Sequence, residues 1–288
     1  MYSMNKKIGL ICEGGGTKAA YTCGVLKCFL DEHIEFPYTA GISAGAEVLL
    51  PFVAGQKERL RVTGVDAASD PKAIGVYPLV TERGVFGIKH VCEFIEKHAP
   101  LDYKAFMANP TRLDIGVYNM ETNQIEYFPK EDFDPQKQLL MRASCSLFLL
   151  TRPVKFRGIN YMDAGLIDMI PIEQSIRQGM EKHVFISTKE ANYIRKPAPG
   201  WQIQLAKIMY PGNKEIRENL KIRHINYQKQ WGIVQELEKQ GKALVLRPSA
   251  DYGVTRYTHD KDLLQRWFDL GYEDTKQRII MIREFMEQ

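Results

Sequence analysis

The stretch Gly41-Ile42-Ser43-Ala44-Gly45 has the form G-x-S-x-G. An apolar run from Tyr38 to Ile42 leads into it, and a helix-like run from Ala46 to Ala54 leads out. That context is the sequence form of a nucleophile elbow, a tight strand-to-helix turn that holds a serine hydroxyl exposed. Gly41 and Gly45 suit it, because a Cβ beside the serine would crowd strand and helix. The serine would also lie at a helix N-terminus, where amides and the dipole stabilise an oxyanion. A glycine-rich turn with an incidental serine satisfies the same short pattern.

Upstream, Ile8-Gly9-Leu10-Ile11-Cys12 reads as a buried strand of a parallel sheet. Glu13-Gly14-Gly15-Gly16-Thr17-Lys18 breaks it, and Ala19 to Leu30 has the pattern of a helix with Val25, Leu26, Phe29 and Leu30 on one side. Strand, glycine turn, helix and second strand make a right-handed βαβ unit. Three consecutive glycines let backbone N–H groups converge on an anion beside a helix N-terminus. Gly14-x-Gly16-x-x-Ala19 also satisfies a dinucleotide fingerprint. That fingerprint wants an acid at the end of the second strand, where this chain has Ser43. A P-loop is disfavoured, since Thr17-Lys18 reverses the required order.

Downstream, Gln56 to Pro78 is polar and turn-rich and reads as a surface excursion. Ile88 to His98 and Tyr103 to Ala108 are helical, and Leu113–Tyr118 and Gln124–Phe128 form a hairpin about Glu121-Thr122-Asn123. A helix over Gln136 to Ser146 and a strand over Arg152 to Arg157 precede a tight loop, Gly158 to Gly165, carrying Asp163. Asp163 follows Ser43 by 120 residues. An aspartate beside small residues is also the usual Asx-turn residue. A helix over Pro171–Gly179, strands at His183–Thr188 and Ala243–Arg247, and helix from His259 to Met286 complete the chain. With no linker or repeat, it reads as one domain over 1–288, with a catalytic core at about 6–190 and helical additions at about 200–288.

The 288 residues, 44% hydrophobic and 26% charged, suit an α/β domain with ample core. A net charge of +4 does not argue for nucleic acid. Five cysteines without a C-x-x-C pair fit reduced thiols in a cytoplasmic protein, and no His/Cys cluster has zinc spacing, so no metal is expected. No run approaches the roughly 18 apolar residues of a membrane span, nor does the N-terminus read as a signal peptide. From Ser187 to Trp231, nine Lys/Arg face three Glu, interleaved with Trp201, Ile203, Leu205, Ile208, Met209 and Tyr210. Such a segment suits either a solvated helical hairpin or peripheral contact with an anionic membrane surface.

A serine hydroxyl needs a base, and the acyl oxyanion needs preorganised donors. For a Ser–His–Asp triad the candidates are His183, His224 and His259, each of which reads as a surface or capping histidine. The motifs together resemble the patatin-like phospholipase family, serine acyl hydrolases that use a Ser–Asp dyad. Glu13-Gly14-Gly15-Gly16-Thr17-Lys18-Ala19 is similar to the family's D-G-G-G-x-R/K-G oxyanion loop, Gly41–Gly45 to its elbow, and Asp163-Ala164-Gly165 to its D-G-G/A motif. Ala143-Ser144-Cys145, Asp168-x-x-Pro171, Arg223-His224 and Glu238-x-x-Gly241-Lys242 are similar as well. Glu13, Ala19 and Ala164 stand where the family has Asp, Gly and Gly. The resemblance implies a three-layer α/β/α fold with a mostly parallel sheet and an acyl ester of a lipid as substrate. It implies Ser43 as nucleophile, Asp163 as base, and an oxyanion hole over Gly14, Gly15, Gly16, Thr17 and Lys18, with no metal or organic cofactor. Leu147–Leu150 and the basic Trp201–Trp231 region are candidates for an acyl pocket and a lipid-facing surface.

Overall fold

A computed structural model describes residues 6–287. Strand β1 (Ile8–Cys12) is buried throughout, because helices cover both faces of its sheet. Ile8, Leu10 and Cys12 enter one core and Ile11 another, the two-residue period of a strand. After it come α1 (Ala19–Asp31), β2 (Tyr38–Ile42), α2 (Ala44–Val53), α3 (Lys57–Arg61), α4 (Val76–Thr81), α5 (Ile88–His98) and α6 (Tyr103–Ala108). The middle of the chain holds β3 (Arg112–Asn119), β4 (Gln124–Pro129), α7 (Leu139–Ser144), β5 (Val154–Phe156) and β6 (Ile159–Asp163). The remainder is α8 (Ile172–Arg177), β7 (Lys182–Ile186), α9 (Gly200–Met209), α10 (Lys214–Lys239), β8 (Ala243–Leu246), α11 (Lys261–Gln277) and α12 (Ile279–Glu287).

The sheet runs β5-β6-β3-β2-β1-β7-β8, with β4 also on β3. β3, β2, β1, β7 and β8 are parallel neighbours, whereas β4, β5 and β6 pair antiparallel. This is the α/β/α layering expected, with a mixed central sheet. Residues of α1, α2, α11 and α12 fill the core on one face. Ile172 of α8 and Tyr227 and Val234 of α10 meet Ile11, Phe185 and Val245 on the other. The C-terminal helices are therefore integral: α10 forms much of one layer, and β8 extends the sheet beside β7.

Two segments differ from expectation. Gln56 to Pro78 is not simply a surface excursion, since Leu60, Val62, Val65 and Ala67 are buried. Its charges disguised this: Arg59 is itself buried, donating to Ala99 O and pairing with Glu96 at 2.5 Å. Asp163 does not sit in a tight loop but ends β6, the turn of the β5–β6 hairpin being Arg157-Gly158, both at positive φ.

Helices α1 and α11 touch backbone to backbone. A Cβ on Gly24 would lie 1.9 Å from Phe268 O, and one on Gly271 2.1 Å from Tyr21 O. Tyr21 and Trp267 pack beside this contact with their rings tilted by 50° and centroids 5.6 Å apart. We expect Gly271→Val to lose stability by at least the roughly 1–3 kcal/mol of an overpacked core. Gly232→Ala in α10, where a Cβ meets nothing within 4 Å, should gain up to about 1 kcal/mol. Urea unfolding of the two variants measures both.

Candidate active site

Ser43 follows the last residue of β2 and caps α2 with φ +57° and ψ −135°, a conformation costing a non-glycine residue on the order of 1–3 kcal/mol. The elbow closes only with glycine on both sides: a Cβ on Gly45 would lie 2.4 Å from Cys12 O, and one on Gly41 2.6 Å from Ala46 N. Two hydrogen bonds tie the strained residue down. Its amide donates to Ser144 Oγ at 3.0 Å, and that hydroxyl donates to Gly116 O of β3 at 2.8 Å.

β3 brings the second functional group in. Residues 114–116 pair with β2 on one side and β4 on the other, while 117–119 pair with β4 and β6. β6 therefore continues the β2 side of β3, running the opposite way. Ile42 is opposite Gly116 and Asp163 opposite Val117, so the two strands end head to head. The Asp163 carboxylate accepts a hydrogen bond at 2.7 Å from Gly165 N and lines the same cavity as Ser43. The carboxylate is thus an Asx-turn acceptor beside the serine. Burial pushes its pKa above 3.8, against the opposing pull of Ser43, the Gly165 amide, Arg223 and Arg256. Ala164 and Ala19 have ordinary backbone, neither at positive φ, so neither alanine strains its motif.

The glycine loop crosses in front of Ser43. Among the described residues, the amides of Gly14, Gly15 and Gly16 carry no protein hydrogen bond, while Thr17 N donates to Arg256 O at 3.4 Å. Gly16 has φ +58°, and a Cβ there would strike the same Arg256 carbonyl at 2.6 Å. Lys18 borders the cavity and pairs with Glu190 at 3.7 Å. Glu13 faces inward, accepting from Ser187 Oγ (2.8 Å), Thr188 N (2.5 Å), Lys189 Nζ (3.2 Å) and Tyr227 OH (3.4 Å). Its acid anchors the loop to β7 and α10, and burial lowers the Lys189 pKa to about 8 even beside it.

A family model described as patatin-like phospholipase matches residues 10–176, more than half of the 288. The chain belongs to the patatin-like phospholipase family. A second model, a domain of unknown function (DUF6363), matches residues 213–287. The chain is similar to uncharacterized protein YjjU of Escherichia coli strain K12, 31% identical over 190 residues. That match covers 63% of this chain and 52% of YjjU, about half of the relative's length. Among solved structures it is similar to VipD from Legionella pneumophila, with TM-score 0.50, 12% identity, and 93% of this chain and 66% of that one covered. It is also similar to human GIVD cytosolic phospholipase A2 in complex with a methyl gamma-linolenyl fluorophosphonate inhibitor. There the TM-score is 0.50, identity 9%, and coverage 99% and 59%. At such identities the likeness is one of fold.

The patatin-like span contains Ser43, Asp163 and the glycine loop but only part of the site. Two cavities meet at Ser43, Gly16 and Leu147. One is apolar, walled by Ala20, Val48, Gly64, Ala68, Ile74, Phe86, Ile88 and Val91, with the carboxyl of Glu47 pushed up to about 7 by burial. The other is the more polar of the two, about 280 Å³, and takes Lys189, Tyr193, Arg195, Arg223, Tyr227 and Arg256 from beyond residue 176. Of the expected acyl-pocket run, Leu147 lines both, and Phe148 to Leu150 line a groove toward Trp201. Sequence reasoning missed the 63–91 wall, Arg195, whose only signal was the excess of basic residues from Ser187 to Trp231, and Arg256, which lies outside that stretch.

None of the three candidate histidines lines either cavity. His183 is not at the surface: it is buried in β7, 3.0 Å from Ser175 Oγ, and desolvation lowers its pKa to about 4. It pairs with Gly9, three residues short of Cys12, so it lies about 10 Å down the sheet from the site. His224 is half-buried on α10, and His259 is exposed.

Ser144 is a positioning residue, touching Ser43 only through its amide. Ser144→Ala would leave a buried donor and a buried acceptor unpaired, costing about 1–3 kcal/mol each. We expect a lower melting temperature together with about tenfold or greater loss of Ser43 reactivity. Ser146→Ala, whose hydroxyl bonds only Arg142 O, is the control.

Proposed function

We propose that the protein is a serine acyl hydrolase that cleaves carboxylic esters of lipids through the Ser43–Asp163 dyad. The observation that carries this is the buried Ser43 at the strand junction it shares with Asp163, a carboxylate whose pKa burial has raised, next to three glycine amides with no protein acceptor. Ser43 Oγ attacks the ester carbonyl carbon while its proton passes to Asp163. The tetrahedral oxyanion is held by the amides of Gly14 to Gly16, each such donor contributing on the order of 2.7–4 kcal/mol. Thr17 N, already bonded to Arg256, is left out of that set. Collapse breaks the bond to the alcohol oxygen, which takes the proton from Asp163. A water molecule, deprotonated by Asp163, then attacks the acyl-serine, and acid and free Ser43 result. The raised basicity of Asp163 helps both proton transfers.

Fluorophosphonate labelling and p-nitrophenyl ester hydrolysis, in wild type, Ser43→Ala and Asp163→Asn, test this reading. Labelling and turnover should vanish in both variants and survive single replacement of His183, His224 and His259. An essential histidine would overturn the dyad. The acid limb of kcat/KM should lie above pH 3.8, because activity needs Asp163 ionised. The same shift has a stability consequence. A carboxyl whose folded pKa is raised contributes stability below its unfolded pKa and loses it as pH rises through the folded one. At pH 7 the buried charge therefore opposes folding, and Asp163→Asn should melt higher than wild type.

We further propose that the protein meets its substrate at a membrane surface. No helix among the described residues is long and apolar enough to cross a membrane. Val76, Leu79, Val80, Trp201 and Ile208 are exposed. The segment after α4 joins the groove that Trp201 lines, with Val85 N donating to Leu150 O at 2.7 Å and Phe86 against Tyr257. Sedimentation with vesicles containing anionic phospholipid at low salt should carry the protein down, and Trp201→Ala should weaken this. Wild type left in the supernatant would remove the membrane from the proposal.

A further inference from the structure

Five cations and two carboxylates line the polar cavity. Lys189 is paired with Glu13, and Lys18 with Glu190. Among the described residues, Arg195, Arg223 and Arg256 form no ion pair, although all three border one cavity. Arg195 is buried, its Nε bonded only to the sulfur of Met169, with its guanidinium 5.2 Å from the Tyr227 ring. Arg223 donates Nε to Gly165 O at 2.5 Å, in the turn that follows Asp163. Arg256 rises from the loop whose carbonyl abuts Gly16. Desolvation, and then the charges of Arg195 and Arg256, lower the pKa of Arg223 to about 9 against the opposing pull of Asp163. Collecting unpaired, partly desolvated cations costs free energy unless an anion joins them.

The placement says which part of an ester that anion belongs to. At Ser43 an ester has two arms, acyl and alcohol. The apolar cavity suits only the acyl arm, so the alcohol arm falls in the cationic one. We propose that the leaving alcohol of the substrate carries a phosphomonoester, as in acyl esters of glycerol phosphate, and that Arg195, Arg223 and Arg256 hold that phosphate. The inference rests on the acyl-hydrolase reading. A dianionic phosphate offers several acceptor oxygens to planar forks that bind it bidentately. A choline or ethanolamine headgroup would bring a cation toward three others, and a neutral glyceride would leave all three without an ion-pair partner. The volume of about 280 Å³ lies near the lower end for small-ligand pockets, which favours a compact headgroup. Arg195, Arg223 and Arg256 all lie beyond the patatin-like span of 10–176, the last two inside the 213–287 region. That region therefore carries the selectivity for the alcohol.

The test separates binding from catalysis. Calorimetric titration of the Ser43→Ala protein with glycerol 3-phosphate should give saturable binding, and glycerol should give none. Arg195→Gln and Arg256→Gln should each weaken it by roughly tenfold or more, with Arg256→Lys recovering part. Thermal melts identify a variant that fails to fold, and Arg256, half-exposed on a loop, is the safer position. Inorganic phosphate binding as tightly as glycerol 3-phosphate would overturn the headgroup in favour of a free-phosphate site. In wild type, kcat/KM for hexanoyl-glycerol 3-phosphate should exceed that for hexanoylglycerol and for the corresponding choline ester, all as soluble monomers. The ratio should fall about tenfold or more in Arg256→Gln. Turnover that favours the neutral or choline ester would overturn the proposal while leaving the dyad standing. Glycerol 3-phosphate binding with no turnover of any ester would overturn the dyad while leaving the phosphate site.

Discussion

Everything in this site depends on one strand serving two others along the same edge. β3 pairs first with parallel β2 and then, without a gap in register, with antiparallel β6. Two strands that approach from opposite directions must end where they meet, and their terminal residues face each other across about one residue of β3. Ser43 and Asp163 are the groups at that junction. No loop needs to reach across the molecule to complete the pair, so little ordering entropy is lost in assembling it. Ser144 bonds the amide of Ser43 to the β3 carbonyl at the same point, which makes β3 the common reference for Ser43 and Asp163.

The second constraint is the fate of a buried acid. Glu13 lies at the end of β1 with its carboxylate out of solvent, and five donors from the 187–189 turn and Tyr227 satisfy it. Four of the five come from a turn that follows the sheet's next strand, β7. The fifth comes from α10, which reaches the sheet only after α9. The glycine loop is therefore stiffened by residues far along the chain, while the amides of Gly14 to Gly16 keep no protein acceptor among the described residues. Preorganisation of this kind is what an oxyanion site requires.

How much of this a sequence carries depends on whether the requirement is local. Gly14–Gly16, Gly41 and Gly45 are readable because steric exclusion acts within a few residues, and the elbow could be drawn from five letters. Asp163 was not separable from an Asx-turn aspartate by its neighbours, and in the structure it is one. Only resemblance in motif order singled it out. The 56–78 segment reads as solvent-facing because Lys57, Glu58, Arg59 and Arg61 carry charge. The pairing of Arg59 with Glu96 buries one of those charges beside an apolar wall that needs the fold to be seen. The three arginines of the polar cavity come from a loop, a helix and another loop, and each resembles any surface arginine until the sheet brings them together. His183 failed in the opposite sense, since a buried strand position was read as exposed.

The hydrogen bond from Thr17 N to Arg256 O joins residues separated by most of the chain, and Tyr227 makes a similar long-range tie to Glu13. Such stitching bears on how a chain like this can diversify. A crossover that replaced everything after about residue 200 would keep the serine, the aspartate and all three glycines. It would nonetheless discard the backbone that props the glycine loop and the helix that seals Glu13 from water. The two halves must then vary in step, so new ligand preferences would arise more readily by point changes in the C-terminal wall than by exchange of whole segments.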